Sequence, residues 1–112
     1  MKIKIDPLDV LFSRVVRQRP NGKCEFCGKQ RKLQTSHFHG RRKRNTRWDL
    51  DNAAGLCFSC HQFLGEHPNI HTDWFRKRLG SERFEQLHVR AMTIVKVDKD
   101  KIKEYLTKLL EA

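Results

Sequence analysis

The stretch from Ser36 to His61 holds three histidines, a C-x-x-C pair, an asparagine in a D-x-D-N segment and five Lys or Arg. Few of these residue types belong in an apolar core, so chemistry explains them better than packing does. The chain's four cysteines all fall in C-x-x-C pairs, Cys24 with Cys27 and Cys57 with Cys60. Each pair makes a tight turn that aims two sulfurs at one ion. Two pairs supply the four thiolates of a tetrahedral structural zinc. A redox C-x-x-C or buried free thiols are the competing readings. Twenty-nine residues separate Cys27 from Cys57, so a whole structural element is looped out between the knuckles.

Charge sets the second constraint. The chain has 24 Lys and Arg against 13 Asp and Glu, a net charge of +11 on 112 residues. Such an excess creates a positive field that attracts polyanions, nucleic acid above all. Much of it sits beside the histidines, as Arg41, Arg42, Lys43, Arg44 and Arg47. There each phosphate contact releases counterions, and Arg can pair two N–H groups with one phosphate. A solvated loop, or affinity for acidic lipid, is the blander account. No amphipathic membrane helix, spanning segment or secretory signal is evident, so no membrane partner is expected. A reducing cytoplasm is the expected compartment, which favours thiolate–metal bonds over disulfides. No base-reading module is visible, so recognition by backbone or shape is expected. Trp48 could stack on a base, although burial under a hairpin is the favoured reading.

These side chains need elements to position them. Asp6 as N-cap and Pro7 at the first helical position open a helix, with Leu8, Leu11, Phe12, Val15 and Val16 at helical spacing. Pro20-Asn21-Gly22 ends it and delivers the first knuckle. Lys32 to Phe38 reads as a strand, 41–47 as a basic loop, 48–53 as the return, and Cys57 to Leu64 as a short helix stopped by Gly65 and Pro68. A helical tail follows. Thr72 or Asp73 caps a segment ending at Gly80. Ser81 caps another that buries Phe84, Leu87, Ala91, Ile94 and Val95. Asp98 caps the last, with Ile102, Tyr105, Leu106, Leu109 and Leu110 inward. With 38% hydrophobic residues the core is small, and a metal staple suits it.

The order His37, Asn52, His61, with LCFSCH at its end, resembles the HNH endonucleases. Over nearly the whole chain it resembles the phage recombination nucleases of the NinG (Rap) type. LDVLFSRVVRQR, CEFCGK, LQTSHF, RWDLDNAAGLCFSCH and the helical tail carry that likeness. The resemblance implies an α+β fold: a small zinc-stapled ββα-metal core with a four-cysteine site, flanked by an N-terminal helix and a helical C-terminal tail. One domain is expected over 1–112, with the helix in 1–23, the knuckles and core in 24–67 and the tail in 68–112.

It also implies roles. His37 would be the general base that takes a proton from water, since a neutral imidazole titrates near physiological pH. His61 would bind a catalytic divalent cation, Mg2+ or Mn2+, at the scissile phosphate. Asn52 would hold the hairpin loop or orient His37, and the two imidazoles would flank one phosphorus. Many HNH enzymes carry an acid or histidine just before the base and a second ligand one turn after the first. This chain has Ser36 and Gly65 there. His67 is the favoured replacement ligand and His39 the alternative, the latter if the strand persists beyond His37. His71 reads as surface or helix start, and His88 as packed.

The expected function is metal-dependent hydrolysis of DNA phosphodiester bonds, in phage recombination and on branched DNA by family analogy. The alternative is a non-catalytic zinc-binding DNA module with a decayed nuclease site, and an RNA-directed protein is a third reading. A homodimer through the amphipathic tail would suit junction cutting, although such tails more often complete a monomer core.

Overall fold

The computed structural model describes residues 5–111, so residues 1–4 and 112 of the expected single domain lie outside it. Asp6 caps helix α1 (Pro7–Gln18) by accepting a 2.9 Å bond from the Leu8 N–H, and Pro7 opens its first turn. Both choices satisfy or remove backbone donors that a helix start leaves free. Leu8, Phe12, Val15 and Val16 are buried, as the helical spacing predicts. The chain then reverses through Asn21 (φ 53°) and Gly22 (φ 80°) into the first cysteine knuckle.

Strands β1 (Leu33–His37) and β2 (Ala53–Cys57) form an antiparallel hairpin in which His37 pairs with Ala53 and Leu33 with Cys57. Every residue of β2 is buried, because helices cover both faces of the sheet there. The small residues allow that closeness: a Cβ on Gly55 would meet the Val16 carbonyl at 3.2 Å. The free edge of β2 is closed too. The Glu25 N–H donates to the Gly55 carbonyl (2.9 Å), and the Gly55 N–H returns a bond to the Glu25 carboxylate. Arg19 and Arg78 both donate to the Ala53 carbonyl, at 2.8 and 3.0 Å. An edge strand is thereby satisfied without a third strand.

The long hairpin connection contains a one-turn helix α2 (Arg44–Arg47) and a 3₁₀ turn (Leu50–Asn52), so the basic stretch is only partly loop. From Cys57 the chain enters α3 (Phe58–Glu66), then α4 (Pro68–Leu79), α5 (Ser81–Met92) and α6 (Lys99–Glu111). One apolar cluster joins Leu33, Ala54 and Leu56 of the hairpin to Leu64, Phe75, Phe84 and Leu87. A second joins α1 to Ala53, Trp48 and Leu106 of α6. The hairpin is the wall between them. The architecture is α+β, and no helix among the described residues is long and apolar enough to cross a membrane.

Several tail boundaries differ from expectation. Helix α4 starts at Pro68, because proline suits a first helical turn, and Thr72 and Asp73 lie inside it. Gly80 (φ 84°) makes the junction to α5, so Ser81 is the first helical residue and not its cap. Helix α5 stops at Met92: Ile94 is 100% exposed and Val95 half exposed, where burial was predicted. Asp98 does bond the Lys101 N–H (3.1 Å) at the start of α6. Leu106 is buried on that helix, while Tyr105 and Leu109 are exposed.

Candidate functional site

The two knuckles converge. Cys24 and Cys27 flank a turn closed by a 2.8 Å bond from the Gly28 N–H to the Cys24 carbonyl, with Gly28 at φ 76°. Cys57 ends β2 and precedes α3, and Cys60 lies in the first turn of that helix. All four sulfurs lie within 4.8 Å of one another, with Cys27 and Cys57 at 4.0 Å. Four sulfurs about 2.3 Å from a central zinc would be about 3.8 Å apart, so the cluster fits a four-thiolate ion.

The protonation chemistry agrees. Burial raises the Cys24 thiol, but N–H groups of Cys27, Cys57 and Phe26 outweigh it and bring the pKa down to about 7. Cys60 is pushed far up, first by burial and then by the neighbouring sulfurs. One thiolate is at ease here, and four require a cation.

His37 closes β1 with its ring half-buried 5.5 Å from Phe12. Its Nε2 lies 3.0 Å from the Arg47 carbonyl. A carbonyl only accepts, so Nε2 carries the proton, and Nδ1 keeps its lone pair when the ring is neutral. Nδ1 has no protein partner among the described residues and is not among the atoms shut off from solvent. Burial lowers the ring's pKa below 6.5, with Arg41 and Arg47 adding to that and the Arg47 carbonyl and Asp9 opposing it.

Asn52 is fully buried and ties the loop together. Its Oδ1 accepts from the His39 N–H, and its Nδ2 donates to the carbonyls of His39 and Thr46. It makes no bond to the His37 ring, so of the two expected roles the structure has the loop-holding one.

His61, in the first turn of α3, leans on β1 through a 2.8 Å bond between its Nδ1 and Gln34. Here the geometry departs from expectation. Alternation along a strand puts Gln34 and Ser36 on one face and Thr35 and His37 on the other. The Thr35 hydroxyl meets Ser13 of α1 at 2.6 Å, so His37 shares the α1 face while His61 sits on the opposite one. The two imidazoles do not meet, and Gln34 lies about 10 Å of strand before His37.

His67 is not brought to His61 either. Its Nδ1 bonds the Phe63 carbonyl (2.7 Å) at the far end of α3, and its ring stacks on Phe63. The strand ends at His37, so His39 turns away from the His37 side, toward α5, with its ring 5.8 Å from that of His88. Ser36 is 3% exposed and offers no ligand to solvent. Among the described residues only the cysteines form a ready group of three or more ligating side chains, so no such group gathers around His61.

The basic stretch divides. Arg41, Arg42, Lys43 and Arg44 are exposed. Arg47, expected to face DNA, is committed inward to the Asp9 carboxylate, which also accepts from the Trp48 indole (2.9 Å). Trp48 is buried accordingly. The acids of the D-x-D-N segment serve α5: Arg90 bonds Asp49 (2.7 Å), and Arg83 bonds Asp51. Spacing along the chain carried no signal for these pairs.

Two histidines gain unexpected settings. His71 of α4 packs edge-on against Phe38 and Phe75, with its Nε2 buried and unpartnered. Burial and the nearby His61 lower its pKa. His88, expected to be packed, is exposed beside His39. Compared with known proteins, the chain matches no protein-family model, no curated protein and no solved structure.

Proposed function

We propose that this protein is a DNA endonuclease of the HNH type, with zinc in the four-cysteine site as its structural staple. One observation carries the reading. His37 ends the first strand of a strand–loop–strand–helix unit with Nε2 held by the Arg47 carbonyl and Nδ1 free as a base. Four exposed cationic side chains follow within seven residues, on the loop that Asn52 fastens to the hairpin. The net charge of +11 suits a polyanionic substrate.

In this reading Nδ1 of His37 takes a proton from water as the water oxygen bonds to phosphorus. The bond from phosphorus to the 3′-oxygen breaks, and solvent protonates the departing oxygen. Holding the base in a fixed tautomer is what the Arg47 carbonyl contributes. A divalent cation, when bound, supplies charge neutralisation at the phosphate. His61 would offer it Nε2, since Nδ1 is bonded to Gln34, and water and substrate oxygens would complete the shell.

A second reading, a zinc-stapled DNA-binding module without catalysis, draws on a specific feature. His37 and His61 lie on opposite faces of β1, and Ser36, next to His37 on the strand, is buried. Cleavage assays on linear, single-stranded and branched DNA, with Mg2+, Mn2+ or EDTA, separate the two. The nuclease reading expects metal-dependent cutting that falls about 10²- to 10⁴-fold in His37→Ala, with DNA binding kept within a few-fold. Equal binding by both proteins, with no cutting of any DNA form, would establish the module instead. RNA substrates run in parallel test the third possibility.

A further inference from the structure

We propose a second metal site, apart from the cysteines, in which His39, His88 and Glu85 hold one borderline divalent cation of the zinc class. The three line a cleft of about 580 Å³ between the turn after β1 and helices α4 and α5. His39 presents a buried Nε2 without a hydrogen-bond partner, which in a folded protein calls for an ordered water or an ion.

The neighbouring group is suited to an ion. The His39 and His88 ring centres are 5.8 Å apart. Two imidazoles on one zinc, each bonded at about 2.0–2.1 Å, place their ring centres roughly 5–6 Å apart. Glu85 stands three residues before His88 on α5, so both side chains share a helix face. A carboxylate with two imidazoles is a donor set for zinc, cobalt or nickel and too nitrogen-rich for magnesium.

One donor is rigid and two are adaptable. Asn52 fixes the His39 backbone at both its N–H and its carbonyl. His88 and Glu85 are exposed and can turn toward the buried nitrogen when an ion arrives. Bound there, the ion would join α5 to the turn that leads into the cationic loop. The site does not rest on the nuclease reading: His37, Asn52 and His61 take no part, and His39, the alternative ligand expected for the catalytic cation, lies past the end of β1 beside His88.

The test starts from protein carrying one equivalent of zinc in its cysteines and titrates Co2+, followed by calorimetry and absorption. The expected result is a second equivalent without sulfur-to-metal charge-transfer bands, bound at least tenfold more weakly by His88→Ala. His88 is exposed, so that variant keeps its fold, checked by its thermal transition. The absence of a second equivalent overturns the site, as does uptake showing sulfur bands or uptake weakened less than tenfold in the variant.

Discussion

Asn52 holds both backbone polar groups of His39, accepting from its N–H at 2.8 Å and donating to its carbonyl at 2.9 Å. A side-chain amide here does what a partner strand would do, continuing the hairpin past its last paired residues. The remaining Nδ2 proton reaches the Thr46 carbonyl at 3.0 Å, in a fully buried position. Asn52→Ala strands three backbone groups, and unmet buried groups cost about 1–3 kcal/mol each when water cannot reach them. A loss of about 3 kcal/mol in urea unfolding is expected. Asn52→Asp should do no better, because a carboxylate cannot donate to the two carbonyls. An aspartate variant as stable as the parent would show that the clamp is not made by the amide.

The cysteine cluster predicts how the protein fails without metal. Cys57 ends β2 and is the N-cap of α3, so a zinc bond there would tie the helix to the hairpin. A strong chelator should abolish the cooperative thermal transition, and added zinc should restore it. Cys57→Ser should bind zinc more weakly and melt earlier, with metal content and circular dichroism as readouts. A chelated, zinc-free protein that melts as before would remove the ion from the account of the fold.

Three half-buried histidines set a pH dependence of definite sign. Burial lowers the pKa of His37, His39 and His71 below 6.5, with neighbouring cations or imidazoles adding to it. Between the lowered folded values and the unfolded value of 6.5, the unfolded chain binds more protons, so stability rises with pH across that window. It is full above 6.5 and is lost as pH falls toward the folded values. Melting temperature should therefore climb from about pH 5 to 7 and then level, with a shallower climb in His71→Phe. The same sign applies to cleavage. If His37 is the base, the rate should rise with a midpoint below 6.5, and a midpoint above it would exclude this imidazole.

What could be read from the chain was local. Asp6-Pro7 and an apolar stripe placed α1, and C-x-x-C spacing placed the sulfur cluster, because caps, helical period and knuckle turns depend on neighbours in sequence. Ile94 shows where this ends. It continues the apolar spacing of Leu87 and Ala91, yet Thr93 turns extended and leaves it wholly exposed. Periodicity identifies a face but not whether anything lies opposite it. The candidate site follows the same rule. Arg47 finds Asp9 38 residues away, and Arg90 finds Asp49 at 41, so side chains that look free for substrate are taken by the fold. The opposite placement of His37 and His61 also depends on strand register and on which helix covers each face.

The divided basic stretch makes the last prediction, because its arginines should fail in different ways. Arg42, Lys43 and Arg44 are exposed and unpaired with acids among the described residues, and Arg41 reaches Asp9 only at 3.7 Å while largely in solvent. Each phosphate contact adds roughly 0.9 to the slope of log affinity against log salt on duplex DNA. If the protein binds DNA as proposed, replacing Arg42, Lys43 and Arg44 by alanine should weaken binding across all sequences and lower that slope by about 2–3, with melting unchanged. Arg47→Ala should instead lower stability, since it strips the Asp9 carboxylate of its main partner while the buried Trp48 indole still leans on it. Its salt slope should match the parent's. Fluorescence anisotropy at several salt concentrations, paired with thermal melts, separates the two classes. A triple variant with an undiminished slope would place the DNA somewhere other than this loop.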